Sequence, residues 1–93
     1  MNFTQALNEW LVRASEIASG YNLTIDPSGR KYIRIVSEHK LYGGQRSAFC
    51  FVEKSTGNVL KCAGWKTPAK HARGNIHKVG KEGVGEYGAL YLR

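Results

Sequence analysis

Apolar residues at Phe3, Ala6, Leu7, Trp10, Leu11, Ala14, Ile17 and Ala18 recur three and four positions apart. That spacing lines one face of an α-helix. Gln5, Asn8, Glu9, Arg13 and Glu16 fall on the other face, so residues 3–19 are predicted to form an amphipathic helix with its apolar side on a core. Asn2 or Thr4 supplies the N-cap, and Gly20 marks the exit. Beyond it the pattern alternates, as strands require. Residues 22–25 form a short extended piece, and Asp26-Pro27-Ser28-Gly29 is a turn. Residues 31–38 form a strand in which Ile33 and Ile35 point one way while Tyr32, Arg34 and Val36 point the other. A loop carrying Gly43-Gly44 follows.

Residues 47–54 and 58–65 are predicted to pair as a β-hairpin through Ser55-Thr56-Gly57, with Gly57 in the left-handed position. Setting Lys54 opposite Asn58 places Val52 against Leu60 and Cys50 against Cys62. One face then holds Ala48, Cys50, Val52, Leu60 and Cys62, suited to the helix, and the other Phe49, Phe51, Val59, Lys61, Ala63 and Trp65. A slip of one residue would change every such pair. Next, Thr67 reads as an N-cap with Pro68 at the first helical position. Ala69 to Arg73 would make one to two turns ending at Gly74. Ile76-His77-Lys78-Val79 alternates as a short extended piece. The glycines at 80, 83, 85 and 88 mark a mobile loop before a last short strand.

The fold class is therefore α+β, an N-terminal amphipathic helix packed on a small antiparallel sheet of three or four strands, in one domain spanning 1–93. A chain this short has a small core, and self-association into a homo-oligomer would add stability. The first residues carry Glu9, Arg13 and Glu16 among the apolar ones, which does not fit a secretory leader. No run approaches the roughly 20 apolar residues of a membrane span. Two cysteines are too few for a disulfide framework. A cytoplasmic protein with reduced thiols is expected.

Charge alters the picture most. The formal net charge is +7, and the stretch from Lys61 to Lys81 holds Lys61, Lys66, Lys70, Arg73, Lys78 and Lys81 with His71 and His77 and no acid. The Thr67-Pro68 start, flanked by Lys66, Lys70 and Arg73, has the make-up of an anion site. Unpaired N–H groups and the helix dipole favour negative charge there, and arginine can grip a phosphate through two N–H groups. Trp65 offers a ring on which a base can stack. Phe49-Cys50-Phe51-Val52 is similar in part to the aromatic strand of RNA-recognition domains, but Ser47-Ala48 and Lys54 depart from that pattern. Gly80-Lys81-Glu82-Gly83-Val84-Gly85 lacks the strand and helix that a nucleotide-binding loop needs, and reads better as a flexible lid. The spacings of His39, His71, His77, Cys50 and Cys62 fit no zinc module. His71 and His77 lack an adjacent carboxylate, the nearest in sequence being Glu82. No metal, cofactor or catalytic set is expected.

The segments Phe51-Val52-Glu53-Lys54, Thr56-Gly57 and Trp65-Lys66-Thr67-Pro68-Ala69-Lys70-His71-Ala72-Arg73-Gly74-Asn75-Ile76, with the ending Glu86-Tyr87-Gly88-Ala89, resemble a group of small uncharacterised bacteriophage proteins. The resemblance covers about the second half of the chain. It implies a phage gene product acting in the cytoplasm of an infected bacterium, and it brings no activity with it.

The residues point to a non-enzymatic module that binds nucleic acid through phosphates at Lys66, Thr67, Lys70 and Arg73. Trp65 would stack, His71 lies within the site, and Lys61, Lys78 and Lys81 extend the positive field. Two alternatives use the same surface. One is a sponge for a small phosphorylated nucleotide signal. The other is an inhibitor or accessory factor that docks on an acidic face of a host or phage enzyme.

Overall fold

A computed structural model describes residues 2–27, 29–41, 43, 46–64, 67–78, 82–85 and 88–89. Helix α1 runs Phe3–Ile17 and is followed by strands β1 Tyr21–Asp26, β2 Tyr32–His39, β3 Arg46–Glu53, β4 Asn58–Cys62 and β5 Pro68–Asn75. These five strands form one antiparallel sheet in chain order, so β1 and β5 are its edges. A separate small hairpin pairs β6, Val84–Gly85, with β7, Gly88–Ala89. The α+β expectation is met with one strand more than the upper expectation.

Asn2 caps α1 in a reciprocal box: its side chain accepts from the Gln5 N–H, and the Gln5 side chain accepts from the Asn2 N–H. The helix closes at Ala18, and Gly20 takes no left-handed conformation. Ala6, Leu7, Trp10 and Ala14 are buried, as the spacing required. They meet Ile33, Ile35, Phe49, Cys50, Val52 and Val59 from the sheet, with Ile76 and Val84 closing the core beyond β5. Leu23 and Ile25 of β1 pack on its margin, half-buried.

The hairpin register differs from expectation by one residue: Phe51 faces Leu60 and Val52 faces Val59. The turn takes four residues rather than three. The Gly57 N–H donates to the Glu53 carbonyl at 2.8 Å, and Gly57 sits at φ +77° as expected. The slip moves Val59 to the helix side and Leu60 to the far side. A register shift in the β2–β3 ladder between Ile35 and Val36 leaves Phe49 as an extra residue. Such a bulge breaks strict alternation. Phe49 and Cys50 therefore both join the core under α1, while Val36, Phe51 and Leu60 are buried outside it.

The largest departure is at Pro68–Asn75, where a short helix was expected and the chain forms an edge strand. Ala, Lys and Arg suit a helix, but this stretch has no apolar stripe to bury, and short helices are marginal without one. It pairs with β4 instead, at Pro68, Ala72, Gly74 and Asn75. Thr67 caps no helix; its carbonyl accepts the N–H groups of Ala63 and Gly64 to close the β4–β5 connection. Pro68 occupies the first strand position, where a missing N–H is tolerated. Ile76, His77 and Lys78 form a turn and bend, not a strand, and Val79 lies outside the described residues.

Nor do residues 82–85 behave as the expected mobile loop. The Trp10 indole Nε1–H donates to the Glu82 carbonyl at 3.0 Å, and the Arg13 guanidinium lies 3.5 Å from the Glu82 carboxylate. Gly83, at φ +75°, abuts the backbone of β5: a Cβ there would lie 2.6 Å from the Gly74 nitrogen and 2.8 Å from the Arg73 carbonyl carbon. Neither backbone can yield easily. Gly83→Ala is therefore expected to cost about 1–3 kcal/mol through the strained φ and this contact, read as a lower urea midpoint. Gly20→Ala, with no atom within 4 Å of its would-be Cβ, should leave the midpoint nearly unchanged. Equal midpoints for both variants would refute the close approach.

Candidate functional site: the basic sheet edge

Among the described residues, the cations grouped in sequence lie on β4, β5 and the turn after β5, at one end of the sheet. Lys61 is half-buried on β4, Thr67 is exposed in the loop entering β5, and Lys70 and His71 are exposed on β5 itself. Arg73 is half-buried and its Nη1 donates to the His71 carbonyl at 2.5 Å, which holds the guanidinium along the strand. Lys78 is exposed in the turn after β5. Trp65, Lys66 and Lys81, also expected at the site, lie outside the described residues.

β5 is irregular, and that shapes the surface. Val59 faces Gly74 while Leu60 faces Ala72, which leaves Arg73 as an extra residue; a second shift precedes the Cys62–Pro68 pair. Beside the first bulge lies a surface depression of about 310 Å³ lined by Asn58, Ala72, Arg73, Gly74, Asn75 and Lys78. Asn75 organises its floor. Its Nδ2 donates to the Thr56 carbonyl at 2.9 Å and to Asn58 Oδ1 at 3.0 Å, and its own Oδ1 accepts the His77 N–H at 2.8 Å. Sequence reasoning passed over Asn58 and Asn75. The Gly74-Asn75 pair read as a helix exit, and only the strand pairing turns those two amides toward each other.

Carboxylates are held elsewhere. Asp26 pairs with Arg34, Glu53 with Lys31, and Glu82 with Arg13, while Glu9 and Glu16 lie exposed on α1. The helix-start anion site expected at Thr67-Pro68 does not exist, because there is no helix. What remains is a cationic strand whose outer backbone groups face away from β4. The aromatic strand at Phe49-Cys50-Phe51-Val52 offers no stacking surface either. Phe49 and Phe51 are each only 4% exposed, Phe49 within the core under α1 and Phe51 edge-on to Tyr32. Neither can take a base on its face.

Among the described residues, no three His, Cys, Asp or Glu side chains converge as metal ligands. No helix among them is long and apolar enough to cross a membrane. Cys50 and Cys62 are both free thiols. Burial raises the Cys50 thiol well above its ordinary value, with the neighbouring Cys62 adding to the effect. Burial likewise pushes Cys62 from 9.0 up to about 11, against the opposing pull of Lys61 and Arg34.

The fold and its cationic margin define a small α+β protein with one helix on an open antiparallel sheet and a basic edge strand. Over residues 1–85 the chain matches a family model described as a family of unknown function (DUF7717), and it belongs to that family. No curated protein and no solved structure matches it.

The thiols make a test of the fold around this edge. A raised thiol pKa means that the folded state holds its proton longer than the unfolded chain. The stabilisation from Cys62 is therefore complete below pH 9.0 and is lost as pH rises through about 11. Urea midpoints across that window should fall more steeply for the wild type than for Cys62→Ala. Parallel curves would show that Cys62 is not sheltered.

Proposed function

We propose that this protein binds nucleic acid through phosphate contacts along β5 and its flanking turns, without catalysis. The observation that supports the reading is the acid-free run from Lys61 to Lys81, whose described cations line a sheet edge while three of the carboxylates are ion-paired elsewhere. Lys70 and Lys78 act as mobile point charges. The bulged Arg73 supplies a planar guanidinium, and Lys61 strengthens the field. Thr67 and the outer N–H groups of the strand add neutral donors to phosphate oxygens. His71 adds a ring donor. Trp65, Lys66 and Lys81 belong to the same sequence run, and Trp65 brings a ring for base stacking.

Such contacts position a backbone and read little sequence, so the expected binding is broad in sequence and strongly salt-dependent. The resemblance of the second half of the chain to phage proteins supports a phage gene product meeting nucleic acid in the host cytoplasm. The depression beside Arg73 favours a second reading. At about 310 Å³, with Arg73, Lys78 and Asn58 on its walls, it is within the size range of small-molecule sites, and a small phosphorylated nucleotide could occupy it. Of the glycine segment, Gly83 and Val84 are buried and so do not form the expected lid.

Fluorescence anisotropy with labelled single- and double-stranded oligonucleotides tests the first reading. Affinity should fall steeply with added salt, and Lys70→Ala or Lys78→Ala should each lower the log–log salt slope by about 1. Both side chains are exposed, so neither change should disturb the fold. Salt-independent binding, or slopes untouched by both variants, would sink this reading. A melting temperature raised by mononucleotides and not by polymers would favour the second. A protein partner retained after nuclease treatment would replace both with docking on an acidic protein face.

A further inference from the structure

The two edges of the sheet are built differently. β5 begins at Pro68, carries Lys70, His71 and Arg73, and is bulged in two places. Each of these features discourages another strand from pairing there. β1 has none of them. All six of its residues pair with β2 in unbroken register, and its only charged residue, Asp26, is ion-paired to Arg34. Among the described residues no strand lies on its outer side. Leu23 and Ile25 stand at this margin packed against the core and only half-buried, while Asn22 and Thr24 are exposed on the other face.

We propose that the β1 edge is a self-association surface, where a second copy of this chain adds its own β1 antiparallel to form a continuous ten-stranded sheet. The pleat dictates which residues meet. Directly opposed residues point to the same side, so a two-fold axis perpendicular to the sheet keeps both helices on one face and brings only positions of like parity together. Leu23 then meets Leu23 or Ile25 of the second copy, and Thr24 meets Asn22 or Thr24. In either register the apolar side chains cover each other's open flank, and no like charges are opposed. The same operation on β5 would set Lys70, His71 and Arg73 against their copies within a chain of net charge +7. Pairing β1 with β5 of another copy would meet the bulges. The β1–β1 arrangement leaves both basic edges exposed, at opposite ends of the sheet.

The test uses the full chain and does not depend on the nucleic-acid reading. Sedimentation equilibrium should give the mass of two chains for the wild type. It should give that of one chain for Asn22→Lys/Thr24→Lys, which sets lysines against each other in both registers. Lys70→Glu should keep the dimer. Hydrogen exchange on the wild type, compared at high and low protein concentration, should slow at residues 21–26. It decides the question even if the double variant fails to fold. A wild type of single-chain mass at every concentration would overturn the proposal. So would a folded double variant that stays dimeric, or protection that rises at residues 68–75 instead.

Discussion

Trp10 is completely buried, and its indole reaches from the helix to a segment 72 residues further along the chain. The ring supplies apolar area to the core, while its one polar atom must find an acceptor to be buried without penalty. The Glu82 carbonyl is that acceptor. One turn on, Arg13 donates to the Ile76 carbonyl at 3.4 Å and lies beside the Glu82 carboxylate. Helix, exit of β5 and approach to β6 are thereby joined at one corner. Gly83 completes it by allowing two backbones to touch where a side chain would hold them apart.

That corner explains why the basic segment is a strand. Ile76 is 2% exposed and belongs to the core under α1, and Gly74 lies against Gly83. With those two points held, the chain before them must run beside β4, and an extended conformation satisfies the distance and the backbone hydrogen bonds together. Its middle residues, Lys70, His71 and Ala72, are left facing water, which suits the lysine and the histidine. The cationic edge thus follows from where the apolar residues on either side of it are anchored.

Charge is sorted by the same geometry. Arg13 and Arg34, two of the partly buried arginines, take Glu82 and Asp26 as partners. The described cations of the Lys61–Lys81 run, Lys61, Lys70, Arg73 and Lys78, are left on or beside β5, in a run whose own sequence holds no acid. Ion pairs of this kind contribute little at an exposed surface and more when desolvated. The pairing of Arg34 with Asp26 across β1 and β2 therefore helps to hold β1 in its unbroken register, while β5 is bent by bulges.

Much of the architecture was legible in the chain itself. The three-and-four spacing from Phe3 to Ala18 made α1 readable, and alternation at Ile33 and Ile35 identified their inward face. Gly57 announced its left-handed turn. Local chemistry determined these features, because each depends on residues close in sequence. The hairpin register, the bulge that carries both Phe49 and Cys50 inward, and the strand at Pro68–Asn75 were decided by tertiary structure. Where local signals allow two conformations, the choice falls to whichever buries the distant apolar partners and pairs the backbone. The sequence by itself determined that positive charge would be concentrated between Lys61 and Lys81. Only the packing of Trp10, Ile76 and Gly83 decided that the part of this charge carried by residues 68–75 lies along an open sheet edge, and not around the start of a helix.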